Sequence, residues 1–228
     1  MSVTRALREP QAYERYKTKH SKKDGWNTYA LHHKETPAHP IVEQGLALIK
    51  PELEIPRVAV DLGCGPGGNI LVIQANGFAV HGVDSNQLAL NIAEQRIKKQ
   101  EAQAKKLRIP LPPTKLHNTR MGSFKLPKCG LLVAIRSLGF ETTENFNKLL
   151  KKIPQKIAPG GFAILQFFGP KDDWAKTGSV CALSKKEVLN ALRAFKVKLI
   201  KEDYRTGKTV HGHLKNWHEI FVIAQKLP

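Results

Sequence analysis

The 228-residue chain carries 37 Lys and Arg against 19 Asp and Glu, a net charge of +18, with 41% apolar residues and 17 glycines. This length suits one domain with at most a short extension, and the apolar content is enough for a real core, so the high charge does not signal disorder. No apolar run approaches the roughly 18–20 residues of a membrane span, residues 1–13 lack the apolar stretch of a secretory signal, and three cysteines without a CxxC pair argue against a disulfide framework or a structural zinc site, so a soluble, cytoplasmic protein is expected.

Residues 1–38 are polar and rich in His, Lys and Tyr, with weak helical periodicity over 11–17. Thr36-Pro37 and His39-Pro40 punctuate the chain. Residues 41–49 read as a helix with Ile41, Val42, Leu46 and Ile49 near one face. A short buried strand follows at 58–60, then a helix over 69–75 closed by Gly77. A second strand spans 78–83. The long helix over 87–106 is expected to turn Leu88, Ile92 and Ile97 inward and Lys98, Lys99, Lys105 and Lys106 outward, with Asp84 or Ser85 as its cap.

Pro110, Pro112 and Pro113 stiffen the next connector. Strands are expected at 115–118, 131–135 and 162–168, with a helix over 146–153 and a Pro159-Gly160-Gly161 turn. Ser184, with Glu187 three residues on, forms a capping box for a helix over 184–195. Strands at 197–200 and 220–224 close the chain, joined by the polar segment 201–219 as an antiparallel hairpin. Strands alternating with helices imply a mostly parallel sheet covered on both faces. No internal repeat is present.

The strongest motif is Val58-Ala59-Val60-Asp61-Leu62-Gly63-Cys64-Gly65-Pro66-Gly67-Gly68. It contains GxGxxG at Gly63, Gly65 and Gly68, which alone fits any nucleotide-binding strand-turn-helix. Asp61 precedes the glycines, and Asp84 ends the next strand. Glycines let a backbone turn tightly and approach a ligand. A carboxylate at the end of the second strand can accept both ribose hydroxyls. An acid beside the first loop suits an ammonium and a sulfonium better than a pyrophosphate, which favours S-adenosyl-L-methionine over a nicotinamide dinucleotide.

These residues resemble the class I S-adenosylmethionine-dependent methyltransferases. VDLGCGPGG matches their first motif, His81-Gly82-Val83-Asp84-Ser85 the second, and Ile157-Ala158-Pro159-Gly160-Gly161-Phe162 the loop before the fifth strand. The resemblance covers about residues 40–226 in the family's order of elements. It implies an α/β, Rossmann-like doubly wound three-layer sandwich. The sheet would have seven strands in the order 3-2-1-4-5-7-6, with strand 7 antiparallel. Residues 1–38 would be an extension or lid carrying Tyr13, Tyr16, Trp26 and Tyr29, and 39–228 the methyltransferase domain.

The resemblance further implies that Asp61, Gly63, Cys64 and Gly65 line the methionine moiety, that Asp84 binds the ribose and that Ser85 lies against the adenine. The stretch Arg120-Met121-Gly122-Ser123-Phe124 lacks the acid that many members place near the adenine amine, so backbone groups around Gly122 and Ser123 would serve. Cys129-Gly130 replaces the Asp that often opens strand four. A second likeness is narrower. Phe168-Gly169-Pro170-Lys171-Asp172-Asp173-Trp174-Ala175, with Lys215-Asn216-Trp217-His218 downstream, is similar to a bacterial branch related to the tellurite-resistance-type methyltransferases.

Arg136, Trp217 and His218 are the candidate acceptor-site residues. Arg136 follows strand four, where ligands of this fold sit beyond the strand ends, and it could also face the methyl group. Trp217 and His218 begin the last strand, where a core-edge pair is the competing expectation. His32, His33, His211 and His213 are expected on solvated loops, with no metal, and Cys64 as a packing residue. The Asn/Asp-Pro-Pro-Tyr signature of amino-methyltransferases is absent. The basic runs Arg96, Lys98, Lys99, Lys105, Lys106 and Lys148, Lys151, Lys152, Lys156 lack interleaved aromatics, so they read as solvated faces.

The expected activity is methyl transfer from S-adenosyl-L-methionine to a small, possibly anionic acceptor. One alternative is an RNA or DNA methyltransferase that uses the basic surface. The other is a non-catalytic cofactor-binding interaction protein.

Overall fold

The computed structural model describes residues 22–228, with side chains from Gly25 onward. The 11–17 segment, Tyr13 and Tyr16 lie outside the described residues. The chain runs α1 (Lys22–His32), α2 (Pro40–Ala47), β1 (Val58–Leu62), α3 (Gly68–Ala75), β2 (Ala79–Asp84), α4 (Gln87–Lys106), β3 (Thr114–Asn118) and β4 (Cys129–Ala134). A 3-10 turn over Leu138–Phe140 precedes α5 (Thr143–Lys156), β5 (Ile157–Phe168), α6 (Asp173–Lys176), α7 (Lys185–Ala191), β6 (Phe195–Lys208) and β7 (Leu214–Lys226).

The seven strands form one sheet in the order β3-β2-β1-β4-β5-β7-β6, with β7 antiparallel to both neighbours. Alternation along each strand divides the core into two layers. Val60 and Leu62 of β1 and Leu132 of β4 face α5 and α7, packing with Phe146, Leu149, Ile153 and Val188. Ala59, Leu131 and Val133 face α2, α3 and α4, packing with Ile41, Leu46, Ile70, Ile73, Leu90 and Ile97. Full burial of a side chain of this kind stabilises by roughly 1.5–3 kcal/mol, and the central strands β1 and β4 are apolar and buried on both faces, as covered parallel strands are.

Several expectations need correction. The cap of α4 is Asn86, whose side chain accepts from the Ala89 N–H, while Asp84 accepts from the Asn86 N–H one step earlier. The buried stripe of α4 is Ala89, Leu90, Ala93, Ile97 and Ala104, with Leu88 and Ile92 only half-buried. Small alanines let the helix sit close to the sheet, which rotates its inner face away from the bulkier pair.

Pro159-Gly160-Gly161 is not a separate turn but a bulge inside β5. Gly160 takes φ +75°, and a Cβ on Gly161 would meet the Gly130 carbonyl at 2.8 Å. The polar segment 201–219 is mostly strand. β6 and β7 pair from Phe195↔Lys226 to Lys208↔Leu214 with one register shift between Val197 and Leu199, so alternating polar residues lie on an exposed hairpin face. The capping box at Ser184 and Glu187 is present, and α7 ends at Ala191 because Phe195 already belongs to β6. Helices α1 and α6 carry too little apolar periodicity to be read from sequence.

Candidate active site

The carboxyl ends of β1, β2 and β4 converge on a cavity of about 390 Å³. Its floor is the glycine loop. Gly63 and Cys64 both donate their N–H to the Val83 carbonyl, at 2.7 and 3.1 Å, which ties the loop to the end of β2. Gly63, Gly65 and Gly67 all adopt left-handed backbone, with φ between +51° and +81°. At Gly63 a Cβ would also collide with the Ser137 side chain, so glycine is required twice over.

Asp84 accepts from the Gly65 N–H at 2.9 Å through Oδ2 and from the Asn86 N–H at 2.8 Å through Oδ1. Each oxygen keeps a lone pair for the cavity it lines. Burial pushes its pKa up, opposed by the Asn86, Gly65 and Ser85 backbone N–H groups. Asp61 is fully buried just behind Gly63, and neither carboxylate oxygen has a hydrogen-bond partner among the described residues. Burial, reinforced by the Asp84 charge, raises its pKa to about 7. The nearby Asn69 amide only tempers this shift, and its oxygen is taken by the His39 N–H at 3.0 Å. Ser137 Oγ is likewise buried without a partner.

Unpaired buried carboxylates are costly, a cost that a cation brought against Asp61 would offset. The residues present fit S-adenosyl-L-methionine. Asp61 would face the methionine ammonium, Asp84 the ribose, and Ser85, Thr119, Arg120 and Met121 line the side where the adenine would lie.

Gly63, Cys64, Gly65, Asp84, Ser85 and Arg136 line the cavity, whereas Gly122 and Ser123 do not, and Asp61 lies buried behind the lining rather than in it. Gly122 packs against Asn145 and donates its N–H to Glu141 at 3.1 Å, so the lining passes to the preceding residues. The Cys64 thiol is buried and its pKa is pushed up, first by burial and then by the two nearby acids, which leaves it a packing group. Trp217 and His218 lie outside the cavity lining. His218 Nδ1 accepts from the Lys171 N–H at 3.1 Å, its Nε2 lies 2.8 Å from Glu202, and its ring stacks on Tyr204. Trp217 donates to the Gly207 carbonyl at 3.2 Å and packs edge-on against Trp174.

Sequence reasoning missed three contributors. Arg96, expected on a solvated face, donates to the Pro66 and Thr36 carbonyls at 3.0 and 2.9 Å, clasping the glycine loop to residue 36. His39 caps α2 through Nδ1 and stacks on Phe221, and burial together with the Arg136 charge lowers its pKa to about 4. His33 is not on a solvated loop. It lines the cavity from the end of α1, packed on the Tyr29 ring. The signal available was their position just ahead of the core, among Trp26 and Tyr29.

Trp26 and Tyr29 of α1 line the cavity opposite the glycine loop. Trp26 stands edge-on to Phe140 at 4.9 Å between ring centroids, and the Asn86 amide donates to Asn27 at 2.9 Å.

A family model described as a methyltransferase domain matches residues 32–196, and the chain belongs to that family. Its fold is that of the S-adenosylmethionine-dependent methyltransferases. Similar solved structures include TehB from Haemophilus influenzae, with a TM-score of 0.64 and 16% identity, covering 87% of this chain and 65% of TehB. The present chain thus spans just under two thirds of TehB's length. The N-methyltransferase NodS from Bradyrhizobium japonicum WM9, in complex with S-adenosyl-L-homocysteine, aligns with a TM-score of 0.60 and 14% identity over 88% of this chain and 98% of NodS. Magnesium protoporphyrin IX methyltransferase from Synechocystis PCC 6803, with bound S-adenosylhomocysteine, aligns with a TM-score of 0.57 and 15% identity over 86% and 84% of the two chains. No curated protein matches the sequence. No helix among the described residues is long and apolar enough to cross a membrane, and no group of three or more metal-ligating side chains occurs among them.

Proposed function

We propose that this protein transfers a methyl group from S-adenosyl-L-methionine to a small-molecule acceptor. The observation that carries the reading is the pair Asp61 and Asp84 at adjacent strand ends around the Gly63–Gly65 loop, one acid buried without a partner and the other held by two backbone N–H groups. When bound, the cofactor supplies an electrophilic methyl group on a sulfonium. The work left to the chain is to hold the acceptor in line and exclude water. Asp61 fixes the amino-acid end, and Asp84 the ribose. Helix α1 acts as the lid, bringing Trp26, Tyr29 and His33 over the cavity. The described part of the N-terminal segment, residues 22–38, thus serves as the lid and 39–228 as the catalytic domain. Free cysteines at 64, 129 and 181 suit a reducing compartment and support a cytoplasmic location.

The alternative of a nucleic-acid methyltransferase draws on the charge, +13 of which lies in residues 111–228. Against it, Trp26, Tyr29 and His33 line the cavity from α1 and the residue after it, and the basic runs over 96–106 and 148–156 have no interleaved aromatic side chain. Incubation with methyl-labelled cofactor and fractionated cell extract separates the readings. Label in small metabolites supports the proposal, label in RNA or DNA favours the alternative, and cofactor binding without any transfer leaves a binding protein.

A further inference from the structure

Arg136 sits just past β4 in left-handed backbone, φ +53°, although it is not a glycine. Such a conformation is strained for a residue with a Cβ and persists where the surroundings impose it. Its N–H donates to Gln166 Oε1 at 3.0 Å. Its guanidinium reaches across to β7, where Nε lies 2.9 Å from Glu219 Oε1 and Nη2 lies 3.4 Å from Oε2. Glu219 is fully buried and also receives Arg205 at 2.7 Å. The side edge of the guanidinium is therefore occupied. A guanidinium has a second donor edge, the Nη1/Nη2 end, with two parallel N–H groups spaced for a carboxylate. Nη1 donates to no described residue, and Arg136 lines the cavity.

The surroundings share this bias. His39 Nδ1 accepts the Ile41 N–H, so the neutral ring carries its proton on Nε2 and is a donor. After burial, the Arg136 charge is the main cause that lowers the His39 pKa, opposed by Glu219. His33 feels Arg136 in the same sense, while at Tyr29 Arg136 is opposed by Asp84 and Glu219. The carboxylate on this side, Glu141, is committed to the Gly122 N–H and the Asn145 amide. Trp26 and Phe140, edge-on to each other, supply an apolar corner against which one ring face can lie. The other lining acid, Asp84, belongs to the cofactor end, as does Asp61 buried behind the glycine loop.

We infer that the acceptor is a small organic acid with a planar apolar body, its carboxylate gripped by the Nη1/Nη2 edge of Arg136 and its ring laid against Trp26 and Phe140. A carboxylate whose lone pairs are held by a guanidinium is a weak nucleophile, so a different atom of the acceptor takes the methyl group. This inference rests on the methyltransferase reading.

The test uses benzoate and its neutral isostere benzamide as probes, titrated calorimetrically into full-length protein saturated with S-adenosylhomocysteine. Benzoate is expected to bind at least tenfold more tightly than benzamide. Arg136→Gln should abolish the difference while S-adenosylhomocysteine affinity stays within about threefold. Because that variant strands Glu219, the pair Arg136→Gln with Glu219→Gln is measured beside it and should also lose the preference. Equal affinity for the two probes, binding of neither, or a preference that survives in the paired variant overturns the inference. Failure of S-adenosylhomocysteine itself to bind would instead overturn the methyltransferase reading.

Discussion

Lys215 and Asp172 form a buried ion pair, with Nζ 2.5 Å from Oδ1. The same ammonium lies 3.7 and 3.8 Å from the ring centroids of Trp174 and Trp217. Asp172 also caps α6 through the Trp174 N–H and accepts the His218 N–H. The two downstream sequence motifs thus meet in one clamp that fixes the loop after β5 against β7. Through Trp174 on Phe140, that clamp supports the cavity wall.

Replacing Lys215 by Met should remove the cation and leave a buried, uncompensated carboxylate. Breaking such a pair costs about 3–5 kcal/mol, which for a chain of this size lowers the melting temperature by roughly 10 °C. Adding Asp172→Asn should recover part of the loss. Thermal melts of the single and double variants measure both effects, and a double variant no more stable than the single would show that the pair is not the source.

His218 is a structural partner of that clamp, so His218→Ala should act on stability before binding. The ring is held on both nitrogens, and a Cβ on Gly169 would occupy its place. A loss of about 2–4 kcal/mol is expected for His218→Ala, with S-adenosylhomocysteine affinity within about threefold of the parent. Denaturant unfolding and calorimetry give the two numbers. Gly169→Ala should be at least as destabilising, since neither the ring nor the backbone has room to yield.

The glycine loop was legible because it is local: a short apolar run, then glycines at fixed spacing, then Asp84 at the next strand end, whereas the sheet order came with the family resemblance those residues carry. What escaped depends on three-dimensional context. Asn86 rather than Asp84 caps α4 because Asp84 is drawn to the Gly65 N–H across the sheet. Trp217 and His218 looked like site residues because aromatic and titratable groups near a strand end suit both catalysis and packing. Only the positions of Asp172, Glu202 and Tyr204 decide between them. Arg96 sits in a basic run whose other members are exposed, and its role needs the Pro66 carbonyl, 30 residues away.

Asp84→Ala should weaken S-adenosylhomocysteine binding by about 30- to 100-fold, equivalent to roughly 2–3 kcal/mol. The change removes the proposed ribose acceptor and frees the Gly65 N–H, so the loop loses its anchor as well. Asp84→Asn keeps the shape and one acceptor oxygen and should lose less. Calorimetric titration of both variants tests this, and an unchanged dissociation constant in Asp84→Ala would remove Asp84 from the site.

Asp61 makes cofactor affinity and stability respond to pH in opposite directions. Its folded pKa of about 7 stands above the ordinary carboxylate value of 3.8, so the folded protein holds the proton more tightly than the unfolded chain. The corresponding stability is fully present below the unfolded value and is lost as pH rises through about 7, a change on the order of 4 kcal/mol. Binding of an ammonium needs the carboxylate, so S-adenosylhomocysteine affinity should rise between pH 6 and 8, with up to one proton released on binding. His39, His81 and His117, whose pKa values are lowered chiefly by burial, act on stability with the other sign, which is lost as pH falls below 6.5. The difference between the parent and Asp61→Asn isolates the acid. At pH 8 the Asn variant without ligand should be the more stable protein, and its cofactor affinity should be both weaker and flat with pH. Calorimetry in buffers of different ionisation enthalpy counts the proton, and a parent affinity that does not change from pH 6 to 8 would show that Asp61 does not meet the ammonium.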